Sequence, residues 1–445
     1  MFLTSHAGRH VWRCVAPGLL TLALMPPCVA QPAAPAQPAS SPSQGPGAHG
    51  ELPTVRGLPA LVDLAWARSP QARQLEGDLA SASGLSDNAR AWFPGSPTLS
   101  LGQRSGERPG QRDLSEQDIA LSAPLWAVGQ RSALSQSADL QQQAAQAALA
   151  AWRLALAQQV QEHVDALTMA QLVATQAQAH VDARMTLERD VLRRVAAGEL
   201  ARTDALLMRQ EVLATQGELR QARLALIEAE HRFHVLVGEV RPELAPMAAT
   251  PRTSDAELSR LMQSLHEAVA DHPRLLAART ALAQQQARHQ VVQASGRSPL
   301  ELGLSHRRER DADASRTNTS WGVSLRVPLF HEPGQARQLI AAQTEVDVAQ
   351  TELRRTHDIL ENDLREAIQS LQHQRALLAD AHEAQAVARQ RADLIRTSYR
   401  LGESSLVDRL RAEQALHHMD SLLAQRQALV TQAQARLHFA QGVQP

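Results

Sequence analysis

In Leu300-Glu301-Leu302-Gly303-Leu304-Ser305, and again in Trp321-Gly322-Val323-Ser324-Leu325-Arg326-Val327, apolar and polar residues alternate one for one. A period of two puts successive side chains on opposite faces of a strand. Shorter versions occur in Thr98-Leu99-Ser100-Leu101 and Ile119-Ala120-Leu121-Ser122. The intervening segments, Arg104 to Glu116 and Arg307 to Thr319, are charged and polar and read as exposed loops. Two hairpins are therefore expected, at about residues 96–126 and 299–330.

The rest of the pattern is helical. From Gln130 to Ala196, and from Gln335 to Arg400, nothing interrupts it. At 1.5 Å per residue each of these helices is about 100 Å long. Leu339, Val346, Leu353 and Leu360 fall seven apart, and after a four-residue step Leu364, Leu371 and Leu378 do the same. That is a coiled-coil seam with a stutter. Shorter helices are expected over about Pro59–Ala91, Arg202–Val237 and Asp255–Ala294, with a last one capped by Ser404 or Ser405 and reaching about Ala440. At about 50–60 Å, two of these stacked end to end match one long helix.

The plan occurs twice, about 204 residues apart. Ala123-Pro124-Leu125-Trp126 is echoed by Val327-Pro328-Leu329-Phe330, and Gly198-Glu199 with Asp204 by Gly402-Glu403 with Asp408. Leu236-Val237-Gly238 is matched by Ala440-Gln441-Gly442, and Arg68-Ser69-Pro70 by Asp271-His272-Pro273, one residue out of step. This spacing is far above a solenoid period of about 20–50 residues. It marks a duplicated half-protein, residues 57–240 and 241–445, with Pro242 and Pro246 at the junction.

Composition supports an elongated molecule. Aromatic content is 3%, with one Tyr in 445 residues, whereas Ala, Leu, Gln and Arg favour close-packed helices. The net charge of −1 lacks the one-sided basic field of a nucleic-acid binder. Arg9 and Arg13, the apolar run Val15–Met25 and Cys28-Val29-Ala30 read as a secretory signal over residues 1–30, followed by a Pro/Ala/Ser-rich leader over 31–56. Both cysteines, Cys14 and Cys28, lie in that signal, so no disulfide framework or thiolate metal site is expected in the mature chain. Beyond it no apolar run approaches the roughly 20 residues of a spanning helix, so any membrane crossing is made by strands.

The strands carry the specific chemistry. Leu300, Leu302 and Leu304 with Trp321, Val323 and Leu325 form an apolar face that lacks a partner sheet, as the lipid-facing side of an outer-membrane barrel would. Four strands cannot close around a channel, so that reading requires oligomerisation. A small soluble β-layer on a helical stalk is the alternative.

Taken together, the duplicated plan, the Ala-Pro-Leu-Trp and Val-Pro-Leu-Phe strand ends and the Gly-Glu-(four residues)-Asp turns resemble the TolC-type outer-membrane efflux proteins, over roughly Leu58 to Gly442. The resemblance implies a mainly α protein with a small β part. Three chains would share one long antiparallel α-helical barrel across the periplasm and one transmembrane β-barrel of 12 strands, four per chain. It implies a passive exit duct in the Gram-negative outer membrane, partnered by lipid, a periplasmic adaptor and an inner-membrane pump of RND type. Trp92-Phe93-Pro94-Gly95-Ser96-Pro97-Thr98-Leu99 and Ile119 to Trp126 look most like the CzcC-type heavy-metal branch, implying divalent cations as cargo. Drug efflux, type I protein secretion and a pore-free periplasmic coiled-coil scaffold are the other readings.

By the same resemblance Gly198 and Gly402 turn the chain at the periplasmic tip. Asp408 would line the entrance, with Tyr399 and Asp204 as latch partners. Ser404 and Arg411 depart from the family pattern. Asp204 and Asp408 also suit helix N-termini on dipole grounds. His417-His418 cannot easily share an ion, because neighbours on a helix point about 100° apart. His306, His331 and Glu332 lack a second ligand at fixed spacing. Trp92, Trp126, Trp321 and Phe330 lie near expected strand ends, as an aromatic belt or as hinge fillers. There is no nucleophile-base pair, phosphate loop or carboxylate pair, and neither an enzyme, a cofactor nor a metal site is expected.

Overall fold

The computed structural model describes residues 54–108, 111–243, 253–295, 300–310, 317–327 and 334–443, all in one compact unit, Leu52–Pro445. The signal, the leader up to residue 53, Pro246, Pro328 to Phe330, His331 and Glu332 lie outside the described residues. The elements are β1 (Thr54–Arg56), α1 (Leu58–Arg68), α2 (Pro70–Arg90), β2 (Thr98–Arg108), β3 (Gln111–Leu125), α3 (Gln130–Ala196), α4 (Arg202–Val237), β4 (Arg241–Glu243), α5 (Asp255–Gln263), α6 (Leu265–Ala268), α7 (Pro273–Ala294), β5 (Leu300–Arg310), β6 (Thr317–Arg326), α8 (Gln335–Arg400) and α9 (Leu406–Ala440).

The two long helices, 67 and 66 residues, begin and end where the pattern places them. Of the shorter ones, α4 and the Ser405-capped α9 also lie where expected, and two need correction. Residues 59–91 hold two helices, because Pro70 keeps Ser69 extended (φ −78°, ψ 119°), where its hydroxyl accepts the Ala72 N–H at 3.2 Å. Residues 255–294 hold three: the chain breaks at Ser264, and again where Pro273 holds His272 extended. His272 Nδ1 there accepts the Arg274 N–H at 3.1 Å. These two breaks are the echoed Ser69-Pro70 and His272-Pro273 steps. Each meets the glycine that ends its own half, Gly238 against Arg68 and Gly442 against His272 and Pro273. A Cβ on Gly442 would come within 2.8 Å of the Pro273 ring.

Strands are longer than the alternation suggested. The described residues of Arg104–Glu116 and Arg307–Thr319, read as loops, are strand, so β2, β3, β5 and β6 run for 11, 15, 11 and 10 residues. Charge hid them: Arg307 reaches Asp118 at 2.8 Å and Glu116 at 2.9 Å across the sheet, pairing side chains that look like loop residues in isolation. The hairpins merge into one antiparallel sheet, β2-β3-β5-β6, through β3 and β5. A parallel pair, β1 with β4, went unanticipated, and it includes the last three residues assigned to the flexible leader. Trp321 is also mid-strand, opposite His306, rather than near an end.

Below the sheet the helices run toward the far turns. Midway along α3, Leu154, Leu156, Val160 and Leu167 bury against Leu61 and Val62 of α1 and Phe233 and Val237 of α4. Midway along α8, Leu360, Leu364, Ile368 and Leu371 bury against Leu258 of α5, Leu275 of α7 and Leu437 of α9. Short helices thus meet end to end beside the middle of each long one, and the central leucines of the heptad seam are core. A third cluster closes the far end, where Leu187, Val191, Met208, Tyr399, Leu406 and Leu410 pack together.

Candidate functional site: a two-faced sheet and a helical tip

Register sorts the sheet into two chemically distinct faces. Leu99-Leu121-Leu304-Val323, Leu101-Ile119-His306-Trp321 and Ala123-Leu302-Leu325 form transverse rows on one face. All six residues expected on the apolar face fall there, continued by Leu99, Leu101, Ile119 and Leu121 from the first hairpin. Leu300 is half-buried at the start of β5, and the large side chains beyond it stand open: exposure runs from 44% at Leu302 to 77% at Val323. A monomeric soluble protein rarely presents a contiguous apolar surface of this extent. The other face carries Thr98, Ser100, Gly102, Ser122, Glu301, Gly303, Ser305, Ser324 and Arg326, and farther along Arg104, Glu116, Asp118 and Arg307. Glu301 and Arg326 pair at 2.8 Å, and Arg104 reaches Glu116 at 3.7 Å. Gly303 leaves room for its cross-strand neighbour, since a Cβ there would lie 2.5 Å from the Ser324 hydroxyl and force it to turn away.

At the opposite end the two turns are built alike. Gly198 (φ 80°) and Gly402 (φ 81°) adopt the left-handed conformation. The Glu199 N–H bonds Arg194 O at 2.9 Å and the Glu403 N–H bonds Ser398 O at 3.0 Å, while both glycines bond the carbonyl three residues back. This six-to-one closure is the Schellman end of a helix, which glycine reaches without a Cβ penalty.

Side chains then distinguish the turns. Ser405 caps α9: its Oγ accepts the Asp408 N–H at 3.1 Å and donates to Asp408 Oδ2 at 2.6 Å. That hydrogen bond, with Arg411 and Arg391 nearby, holds the exposed Asp408 carboxyl below its usual range. Ala201 supplies no side-chain cap at α4. Asp204 occupies the first turn of α4. Tyr399 is 3% exposed, its ring held between the guanidinium carbons of Arg194 (5.1 Å) and Arg409 (4.9 Å). Its hydroxyl has no hydrogen-bond partner among the described residues, and burial pushes its pKa up. Within one chain, then, Tyr399 is a core residue of the tip. It makes no hydrogen bond to Asp204 or Asp408.

Behind Tyr399 a polar network runs up the shaft, which the sequence pattern missed. Glu413 gathers Arg409 (3.0 Å), Arg184 (3.5 Å) and Arg396 (3.7 Å). Arg184, 2% exposed, donates from Nε to His180 Nε2 at 3.2 Å, and His180 stacks on His417 at 3.8 Å. His417 thus contacts a neighbouring helix. Burial, with His417 and Arg184 alongside, pushes His180 down to about 4. Among the described residues no helix is long and apolar enough to cross a membrane.

No protein-family model matches the chain. Over 309 residues it is 28% identical to protein CyaE of Bordetella pertussis, covering 64% of this chain and 62% of CyaE. Over 236 residues it is 28% identical to the cobalt-zinc-cadmium resistance protein CzcC of Cupriavidus metallidurans, covering 52% of this chain and 54% of CzcC. The chain therefore spans a little over half the length of the curated relatives it matches. Its fold superposes on the outer membrane protein VceC of Vibrio cholerae with a TM-score of 0.69 at 17% identity, covering 87% of this chain and 96% of VceC. Other solved outer-membrane channels share that fold.

Proposed function

We propose that this chain, a TolC-type outer-membrane efflux protein by sequence similarity and fold, is the exit duct of a tripartite efflux system. The observation that carries the reading is the sheet. Its strands of 10 to 15 residues suit the roughly 9–11 residues of a tilted bilayer-spanning strand. One face is apolar and uncovered, the other polar. Its outer strands, β2 and β6, each pair on one side only among the described residues. Lipid leaves an open edge unsatisfied, so closure by further copies completes the structure, and three chains supply 12 strands. Helices of about 100 Å then continue the lumen through the periplasm toward an adaptor and an inner-membrane pump, for which an RND-type partner is the reading adopted.

Divalent heavy-metal cations are the cargo this reading favours, on the similarity to the cobalt-zinc-cadmium resistance protein. Drug efflux and type I protein secretion are the other cargo readings of the same duct. At the tip, three copies of Asp408 would form an acidic ring that favours cations, with Asp204 beside it.

Membrane fractionation tests the duct. The chain is expected in outer-membrane extracts as a heat-sensitive trimer, and a soluble periplasmic monomer would replace the duct with a pore-free scaffold. Val323→Arg, on the apolar face, should block membrane assembly, at a cost of about 2–4 kcal/mol for a charge facing mid-bilayer lipid. Ser320→Arg, on the polar face, should leave assembly intact. Gene deletion followed by challenge with cobalt, zinc and cadmium, against dyes and antibiotics, reads the cargo.

A further inference from the structure

One side-chain cluster lies outside both the sheet and the tip. His266 of α6 and His357 and Glu361 of α8 bring three ligand atoms within 4.8 Å of one another. His266 Nδ1 is 3.2 Å from Glu361 Oε1, and His357 Nε2 is 3.5 Å from the same oxygen. The two imidazole rings are 4.6 Å apart. We propose that His266, His357 and Glu361 form a binding site for a divalent transition cation of the zinc class, which ties the short helix α6 to the long helix α8.

Four observations support it. Zinc takes nitrogen at about 2.0–2.1 Å and carboxylate oxygen at about 2.0–2.2 Å, so tetrahedral ligand atoms sit about 3.3–3.5 Å apart. The two contacts to Glu361, at 3.2 and 3.5 Å, are close to that separation, and the third pair of ligand atoms lies within 4.8 Å. His357 and Glu361 are four residues apart on one helix, so they share a face. His357 Nε2 is buried with no hydrogen-bond partner among the described residues, although Glu361 Oε1 lies 3.5 Å away. A buried ring nitrogen without a partner is costly, and a cation would satisfy it. Finally, Asp358 Oδ1 stands 4.0 Å from the other nitrogen of that ring, the side from which carboxylates orient a metal-bound imidazole.

The scaffold around the cluster is firm. Leu360 and Leu364, on the adjoining face of α8, are buried in the equatorial core, against which Leu265 and Ala268 of α6 pack. Two protein nitrogens and one carboxylate leave a coordination position open to water. Imidazole and carboxylate together suit zinc, cobalt, nickel or copper rather than calcium or magnesium. Binding displaces protons from the imidazoles and therefore weakens toward acid pH. The proposal does not depend on the duct reading, because it concerns the helical shaft alone.

The test uses the purified full-length protein in detergent, with Zn²⁺ in equilibrium dialysis and Co²⁺ in visible absorption. One Zn²⁺ per chain should bind to this site. His266→Ala, a change at an exposed side chain that leaves the core intact, should weaken it by more than the roughly 10–100-fold that follows loss of a supporting partner. Glu361→Gln should do the same, and both should abolish the tetrahedral Co²⁺ bands. His417→Ala/His418→Ala should leave binding unchanged. Zn²⁺ should also slow amide exchange over residues 265–268 in the wild type and not in H266A. Equal Zn²⁺ affinity and stoichiometry in wild type and H266A would overturn the proposal and assign the metal to scattered histidines, of which the chain has 18.

Discussion

The turn from Ala196 to Asp204 and the turn from Arg400 to Asp408 share one backbone and differ in what fills and caps it. Both close by the same six-to-one hydrogen bond over a left-handed glycine. At the position of Tyr399 the first half has Val195, and at that of Ser405 it has Ala201. The second turn therefore carries the ring, the cap and the contacts to Arg194 and Arg409 that bind the two helix pairs together. Backbone geometry at a helix end depends on one residue type, whereas packing between helix pairs depends on volumes contributed by four helices. The duplicated copies could diverge in the second while keeping the first.

Removing the ring should break this contrast most severely. Tyr399→Ala leaves a cavity among Leu187, Val191, Met208, Leu406 and Leu410 and should cost about 3–5 kcal/mol in chemical unfolding. Val195→Ala in the other turn should cost much less. Tyr399→Phe separates volume from polarity: its hydroxyl is unpartnered, so this variant should be neutral or slightly stabilising. A large loss from Tyr399→Phe would show instead that the hydroxyl is bonded, as a latch requires.

The histidine network gives the next largest effect, again in one half only. His180 and Arg184 align with Ala384 and Ala388 of the second half. His180 has a folded pKa of about 4, below the unfolded value of 6.5, so the unfolded chain binds the proton more readily. The stability this confers is complete above about pH 6.5 and is lost as pH falls toward 4. At about 1.4 kcal/mol per unit, the fall from 6.5 to about 4 amounts to roughly 3–4 kcal/mol. His180→Gln, which still accepts from Arg184, should flatten unfolding midpoints measured across that window. An unchanged acid slope in the variant would place the titration elsewhere.

Smaller effects probe the shared backbone. Gly198→Ala and Gly402→Ala should each cost about 1–2 kcal/mol, and nearly equally, because both positions require positive φ with open space around the missing Cβ. Unequal costs would mean that the side-chain differences reach into the turn itself. Last comes the cap: Ser405→Ala should cost about 1 kcal/mol, and Ala201→Ser should recover a similar amount for the first turn. Calorimetry on the pair reads both.

Much of this architecture was legible in the residues. The limits of α3, α4, α8 and α9 follow from uninterrupted helical periodicity ended by Gly198, Gly238, Gly402 and the Ala440-Gln441-Gly442 step, all local signals. The apolar sheet face was also readable, because alternation in β5 and β6 is strict. The breaks at Ser69 and His272 were present in the sequence as residue-proline steps, yet the helical pattern on both sides masked them. The charged halves of the strands stayed hidden because Glu116, Asp118 and Arg307 become strand residues only when they face one another across β3 and β5.

Local periodicity, turn chemistry and duplication thus determined the element order, the two-faced hairpins and the tip glycines, since each depends on neighbours within a few positions. Tertiary structure alone decided that Tyr399 is core, that Glu413 gathers three arginines and that His266 meets His357 and Glu361. The deciding contacts join distant parts of the chain, with Arg184 and Glu413 separated by 229 positions and His266 and Glu361 by 95. Nothing in a local pattern records which faces of two distant helices will touch. That is settled when α6 and α5 fold back on the middle of α8 and bury the leucines between them.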